Sequence, residues 1–181
     1  TRSEVVVIGG GVAGISAALE LSKTHDVIII EKKHLFYGSS GRNPGRMGHG
    51  FHYIDYETAK LYLEASIQVQ RTYPHFLIGE HLPFSHPVRH GRYFVTKTSL
   101  YSFTEVLETY QKLQQRYAEL VAEDPENKVF GEPESFFRIL APSEYQDHIN
   151  AEIIEGAVET CEHLFNWQAF SHHIRDIIGA N

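Results

Sequence analysis

The sequence predicts an α/β fold that opens on a β-α-β unit with parallel strands, and three observations predict it. Glu4 to Ile8 (EVVVI) is a short β-branched run that stops at three consecutive glycines. Val12 to Lys23 (VAGISAALELSK) is rich in helix formers, with Ala17, Ala18 and Leu21 giving a small apolar face. Asp26 to Glu31 (DVIIIE) is a second β-branched run. Continuous apolar runs of this length read as strands buried in a parallel sheet. The short helical connection makes them parallel neighbours with a right-handed crossover.

The remaining elements follow in order. Lys32 to Gly50 is long, glycine-rich and basic, without period, and a loop of that kind in a compact domain is usually functional. Tyr56 to Tyr73 predicts a helix ended by Pro74. His75 to Arg92 is broken by prolines and glycines and reads as irregular structure, and Arg92 to Thr98 (RYFVTKT) alternates like a strand. Ser102 with Glu105 is a capping box that opens a helix running to about Glu123, with a mixed charged face expected at the surface. Asp124 to Glu134 reads as turns, Ser143 to His148 as a short helix and Gly156 to Cys161 as a strand. Trp167 to Ile178 closes as an amphipathic helix.

Composition bounds the function. The chain has 181 residues, 42% apolar and 22% charged, which suits a folded core of about one domain. A net charge of −7 argues against a nucleic-acid surface, which needs a clustered basic field. One cysteine, Cys161, excludes an internal disulfide framework and suits a reducing compartment. No stretch approaches the ~20 apolar residues of a transmembrane segment. The first strand begins at Glu4, leaving no room for a signal peptide, so a cytoplasmic location is expected.

Gly9, Gly11 and Gly14 form G-x-G-x-x-G directly between strand and helix. The first glycine permits the tight turn, the second lets backbone approach a pyrophosphate, and the third lets the helix pack on the strand. A diphosphate would sit at the helix N-terminus, where free N–H groups and the dipole favour an anion. Glu31 ends the second strand roughly 20 residues after the first glycine, where an acid accepts both ribose hydroxyls. It would repel a 2′-phosphate, which disfavours NADP. The fingerprint alone does not decide between FAD and NAD.

The residues from Val5 to Tyr53 resemble the N-terminus of the D-amino-acid-oxidase-like (DAO) superfamily of FAD-dependent oxidoreductases, through VVVIGGGVAGISAALEL, VIIIEK and GSSGRNPGRMGHGFHY. Gly41-Arg42-Asn43-Pro44-Gly45 and Gly50-Phe51-His52-Tyr53 are most similar to its 2-hydroxyglutarate-oxidase-like branch. The resemblance implies a Rossmann-like FAD/NAD(P)-binding βαβ fold, interrupted by an α+β insertion and incomplete in this chain. Residues 1–80 would be the first part of the FAD-binding domain, 81–157 an insertion or the start of a substrate domain, and 158–181 a return to the FAD-binding domain.

By the same resemblance, Gly9, Gly11, Val12 and Ala13 would offer backbone to the FAD diphosphate, with Glu31 and Lys32 bracketing the adenosine ribose. Ser39 and Ser40 would hydrogen-bond phosphate, with charge from Arg42. Asn43, Gly45, Arg46, Met47 and Gly48 would run along the ribityl chain and flavin edge. Two departures stand out: Thr24-His25-Asp26 replaces the family's usual glycine turn, and His49 lies next to the position where relatives often carry a histidine. Covalent flavin attachment through His49 is not expected. Beyond Tyr53 the resemblance is loose, resting on GEPESFFRILAPSEY and the last helix. The family has a long further half, so the chain reads as a fragment whose partner is the remainder of the same enzyme or a complementary chain.

Other clusters carry blander readings. His81, His86 and His90, like His172 and His173, lack the spacing and acid of a zinc site, and no metal is expected. His52 and Tyr53 are candidates to orient or deprotonate an amino or hydroxy acid substrate, against ordinary packing. Arg89, Arg92 and Arg138 are chemically possible carboxylate clamps. The expected function is the FAD-binding portion of an oxidoreductase acting on a C–N or C–O bond. The alternatives are an NAD-dependent dehydrogenase and a non-catalytic nucleotide- or partner-binding module.

Overall fold

The computed structural model describes residues 4–42 and 45–179, and the chain divides into two compact units. The first comprises residues up to Gly45 with those from Asn166 onward, and the second is Arg46–Phe165. In chain order the elements are β1 (Val5–Ile8), α1 (Val12–Leu21), β2 (Val27–Ile30), α2 (Tyr56–Thr72), β3 (Leu77–Ile78), β4 (His90–Thr96), α3 (Phe103–Glu123), β5 (Phe137–Ile139), β6 (Ile154–Cys161), β7 (Leu164–Phe165) and α4 (Trp167–Gly179), with short 3-10 turns between them. The units part at 45 and 165, whereas the sequence suggested divisions at 80 and 157. The difference arises because α2 packs on α3, within the second unit.

In the first unit β1 and β2 pair in parallel, from Val5 opposite Val27 to Ile8 opposite Ile30. Helix α1 packs against both strands and buries Ile15 and Ala18. A β-carbon on Gly14 would overlap the Gly9 carbonyl, so only glycine permits this helix-to-strand approach. The strands were expected to be buried on both faces, and the structure corrects this. Val6, Ile8, Ile28 and Ile30 are 53%, 85%, 42% and 54% exposed, because side chains alternate across a strand and only one face is covered. Below the loop, Phe36 is buried at a left-handed φ of 63° and meets Trp167 and Phe170 of α4 at ring separations of 5.4 and 6.2 Å.

In the second unit β4, β6 and β5 form an antiparallel sheet in that order, with His90 opposite Cys161 and Phe137 opposite Thr160. Asp55 caps α2 by accepting the Thr58 N–H at 2.9 Å, and the Ser102–Glu105 capping box opens α3 as expected. The core joins Ala59, Leu63 and Ile67 of α2 to Tyr110, Leu113 and Tyr117 of α3, with Phe130, Phe136 and Val158 beneath. Helix α3 is therefore amphipathic, and its apolar face is a wall of this core rather than a purely surface helix. Tyr117 is fully buried: its hydroxyl donates to the Gly131 carbonyl at 2.8 Å and accepts the Phe130 N–H at 2.9 Å. The segment Ser143 to His148 is a 3-10 turn at Pro142–Glu144 with further turns, shorter than the expected helix.

Candidate functional site: a glycine turn and an aromatic pocket

Each unit carries its own group of the residues singled out above. In the first, Gly9 ends β1 at φ +107° and donates its N–H to Ile30 at 2.8 Å. A positive φ there is cheap for glycine alone. Gly11 is extended, with φ −82° and ψ 178°, and is the N-cap of α1 without a side-chain cap. The first turn, including Val12 and Ala13, carries no acidic residue of its own, so the positive end of the helix dipole is not offset from within the helix.

Two side chains return to this turn. Ser40 Oγ accepts the Val12 N–H at 3.0 Å, and a β-carbon on Gly11 would lie 3.1 Å from that oxygen. Glu31 accepts the Gly10 N–H at 2.7 Å and the Lys33 N–H at 3.1 Å. Those two bonds, the Gly10 one first, hold its carboxyl below the usual range, so it is an anion at neutral pH. A carboxylate offers about four acceptor positions, so lone pairs remain for two ribose hydroxyls. The structure thus brings Gly9, Gly11, Gly14, Val12, Glu31 and Ser40 together.

Ser39, Ser40 and Arg42 share one 3-10 turn, in which a β-carbon on Gly41 would overlap the Phe36 carbonyl. The Arg42 guanidinium lies 5.6 Å from the Tyr37 ring, on which the Lys33 amine also sits at 4.0 Å. Lys32 is exposed, and Gly45 is buried at φ +81°. Asn43 lies outside the described residues.

In the second unit Arg46 is exposed and its backbone bridges to Leu164. The Met47 carbonyl accepts from His49 Nδ1 at 2.8 Å, and Gly48 lies against the Tyr62 ring. His49 is 1% exposed and its Nε2 accepts the His163 N–H at 3.3 Å, so its proton is on Nδ1. Burial pushes its pKa down to about 3. Both ring nitrogens have protein partners, which makes this a packing histidine.

His52 and Tyr53 line an open pocket of about 480 Å³ together with Ile54, Tyr93, Tyr101 and Tyr110. Tyr53 stacks on Tyr62 at 4.5 Å. His52 is exposed, and its Nε2 lies 3.2 Å from the Tyr93 hydroxyl, which in turn bonds Glu162. The sequence singles out neither partner: Tyr93 lies in a run that alternates like an ordinary strand, and no motif marks Glu162.

The three arginines considered as clamps are engaged internally. Arg92 and Arg138 hold Glu159 at 2.9 and 2.8 Å, and Arg138 also holds Glu144 at 2.7 Å. Arg89 is buried, donates to the Leu82 carbonyl at 2.7 Å and lies 3.8 Å from the Phe84 ring. His86 accepts the Val88 N–H and His90 meets the Phe84 carbonyl. Among the described residues no group of three or more metal-ligating side chains occurs, and no helix is long and apolar enough to cross a membrane.

Strand, glycine turn, helix, returning strand and anchored acid together make the first unit a Rossmann-like nucleotide-binding βαβ. The chain belongs to the DAO family of FAD-dependent oxidoreductases, whose family model matches residues 4–165. It is 30% identical over 130 residues to human mitochondrial dimethylglycine dehydrogenase, covering 64% of this chain and 14% of that protein. It is 42% identical over 45 residues to the gamma-glutamylputrescine oxidoreductase of Escherichia coli K12, covering 24% of this chain and 11% of that one. Among solved structures, L-proline dehydrogenase from P. horikoshii aligns with a TM-score of 0.56 at 18% identity, covering 96% of this chain and 40% of that one. L-alpha-glycerophosphate oxidase from Mycoplasma pneumoniae, with FAD bound, aligns at 0.50 and 16%, covering 91% and 39%. At these identities the two structures speak for the fold alone. The chain spans well under two thirds of each of these relatives.

Proposed function

We propose that this chain supplies the dinucleotide-binding portion of a longer FAD-dependent oxidoreductase that oxidises an amino or hydroxy acid at a C–N or C–O bond. The observation that carries this reading is Glu31 fastened to the Gly10 amide beside the start of α1, whose N-cap Gly11 has no side chain. In this reading the diphosphate of FAD takes N–H groups of Gly11, Val12 and Ala13, with the Ser40 hydroxyl turning to donate to it. Glu31 accepts the ribose hydroxyls, with Lys32 beside it, and Ser39 and Arg42 add polar and charged support. The flavin, when bound, supplies the hydride acceptor, and the chain's residues hold and orient it. His52 and Tyr53 face a pocket suited to a small organic substrate.

The relatives support the substrate class by their names, one acting on dimethylglycine and another on proline. The narrower 2-hydroxyglutarate-like reading rests on the loop motif alone. The proposed remaining partner is further chain of the same enzyme or a complementary subunit, and the proposed location is cytoplasmic.

The test is a thermal-shift titration of the purified protein with FAD and with NAD, alongside its visible absorption. A rise in melting temperature with FAD and flavin absorbance after desalting support the proposal. A rise with NAD alone overturns it in favour of a dehydrogenase, and no shift with either leaves a non-catalytic module.

A further inference from the structure

We infer that Glu162 is the buried end of a proton relay running from His52 through the Tyr93 hydroxyl, with His52 as the end that faces substrate. The inference deepens the function proposed above and rests on it for the substrate. The relay itself is a property of this chain.

The argument starts with the carboxylate. Glu162 follows β6 directly, and its N–H is pinned to the Arg89 carbonyl at 2.9 Å. Its side chain turns inward over Gly91 of β4, where any β-carbon would overlap the carboxyl oxygens. A carboxylate thus fills the space that a side chain would otherwise occupy in the sheet. Glu162 is in no ion pair among the described residues. The groups facing it are the Tyr93 hydroxyl of β4, Tyr110 of α3, Thr160 and Cys161 of β6, and His52 and Arg46 from the preceding loop. Burial without a contacting cation raises its pKa, while the Tyr93 and Thr160 hydrogen bonds and the nearby Arg46 pull it back. A carboxylate in that position readily takes a proton.

The hydrogen-bond directions define the path. An ionised Glu162 can only accept, so Tyr93 donates to it. The Tyr93 oxygen then accepts from His52 Nε2–H, which places the His52 proton on Nε2. His52 Nδ1 has no partner among the described residues and lies on an exposed ring that lines the aromatic pocket. A substrate N–H or O–H can give its proton to Nδ1. The Nε2 proton passes to the Tyr93 oxygen as the Tyr93 proton passes to Glu162 Oε1. The substrate N–H or O–H bond, the Nε2–H bond and the original Tyr93 O–H bond break as Nδ1–H, a new Tyr93 O–H and Glu162 Oε1–H form, so Glu162 becomes neutral and its negative charge is left on the substrate. The substrate's electrons leave separately with the hydride, in the oxidation already proposed.

The experiment follows the Glu162 carboxyl by 13C NMR in protein labelled at the glutamate δ-carbon, assigned with Glu162→Gln. It uses no flavin and no substrate, so it stands whether or not the oxidoreductase reading does. His52→Gln, a surface change, is expected to raise the Glu162 midpoint by about half a pH unit, roughly three-fold in proton affinity. In a Tyr93→Phe background most of that His52 effect should vanish, because the connecting hydroxyl is gone. No shift with His52→Gln overturns the relay. An equal shift with and without the Tyr93 hydroxyl also overturns it, since the coupling would then pass through space.

Discussion

The α-carbon of Gly14 faces the carbonyl of Gly9 so closely that no β-carbon fits between them. Gly14→Ala must therefore push α1 away from β1 against backbone, which has no rotamer to yield. We expect a loss at or above the usual overpacking cost of about 1–3 kcal/mol, measured by urea unfolding. Gly38→Ala, where a β-carbon would meet nothing within 4 Å, is the matched control.

Glu31→Gln should weaken FAD binding by about ten-fold or more, as expected for loss of a charge-assisted hydrogen bond. Quenching of flavin fluorescence on titration reads this directly. The wild-type carboxyl is held below its ordinary value of 4.5, chiefly by the Gly10 N–H. Its contribution to folding stability is therefore present above that value and lost as pH falls through the lower folded-state pKa. The Gln variant should lack this acid sensitivity.

Tyr117→Phe removes a hydroxyl that serves the Gly131 carbonyl and the Phe130 N–H in a fully buried place. Both main-chain groups lose their partner, so the expected destabilisation is about 1–3 kcal/mol. The ring itself, stacked on Phe136 at 4.9 Å, is retained, so unfolding should stay cooperative with an unchanged denaturant slope.

His49 and His163 should make the second unit acid-sensitive. Burial lowers their pKa values from 6.5 to about 3 and about 4. Between those values and 6.5 the unfolded chain binds protons that the folded chain refuses, so stability falls as pH falls. The slope is at most about 1.4 kcal/mol per pH unit per histidine. Chemical denaturation at pH 7, 6 and 5 measures it, and His49→Gln should reduce the slope if it folds.

What the residues revealed in advance has a physical pattern. The βαβ unit was legible because its requirements are local: β-branched runs, glycines at fixed offsets and an acid at the strand end. The Ser102–Glu105 cap was legible for the same reason, since both partners lie within one turn. Strand β5 was missed because Phe137–Ile139 is ordered by pairing with β6, a distant segment, and has only three residues to show a period. The internal engagement of Arg92 and Arg138 by Glu159 depends on the β4–β6–β5 register, which composition does not disclose. Glu162 was invisible in the same way, because its inward turn is set by a missing side chain on another strand, at Gly91.

The uncovered face of the β1–β2 pair carries a dynamic consequence. Two strands that, among the described residues, pair only with each other, with Ile8 and Ile30 exposed, have little apolar contact to resist local opening. Amide protons of Val5 to Ile8 should therefore exchange with solvent deuterium well before those of β6, which is paired on both edges. The segment that presents the glycine turn is then the readily breathing part of the chain, and any ligand gripping that turn should slow its exchange first.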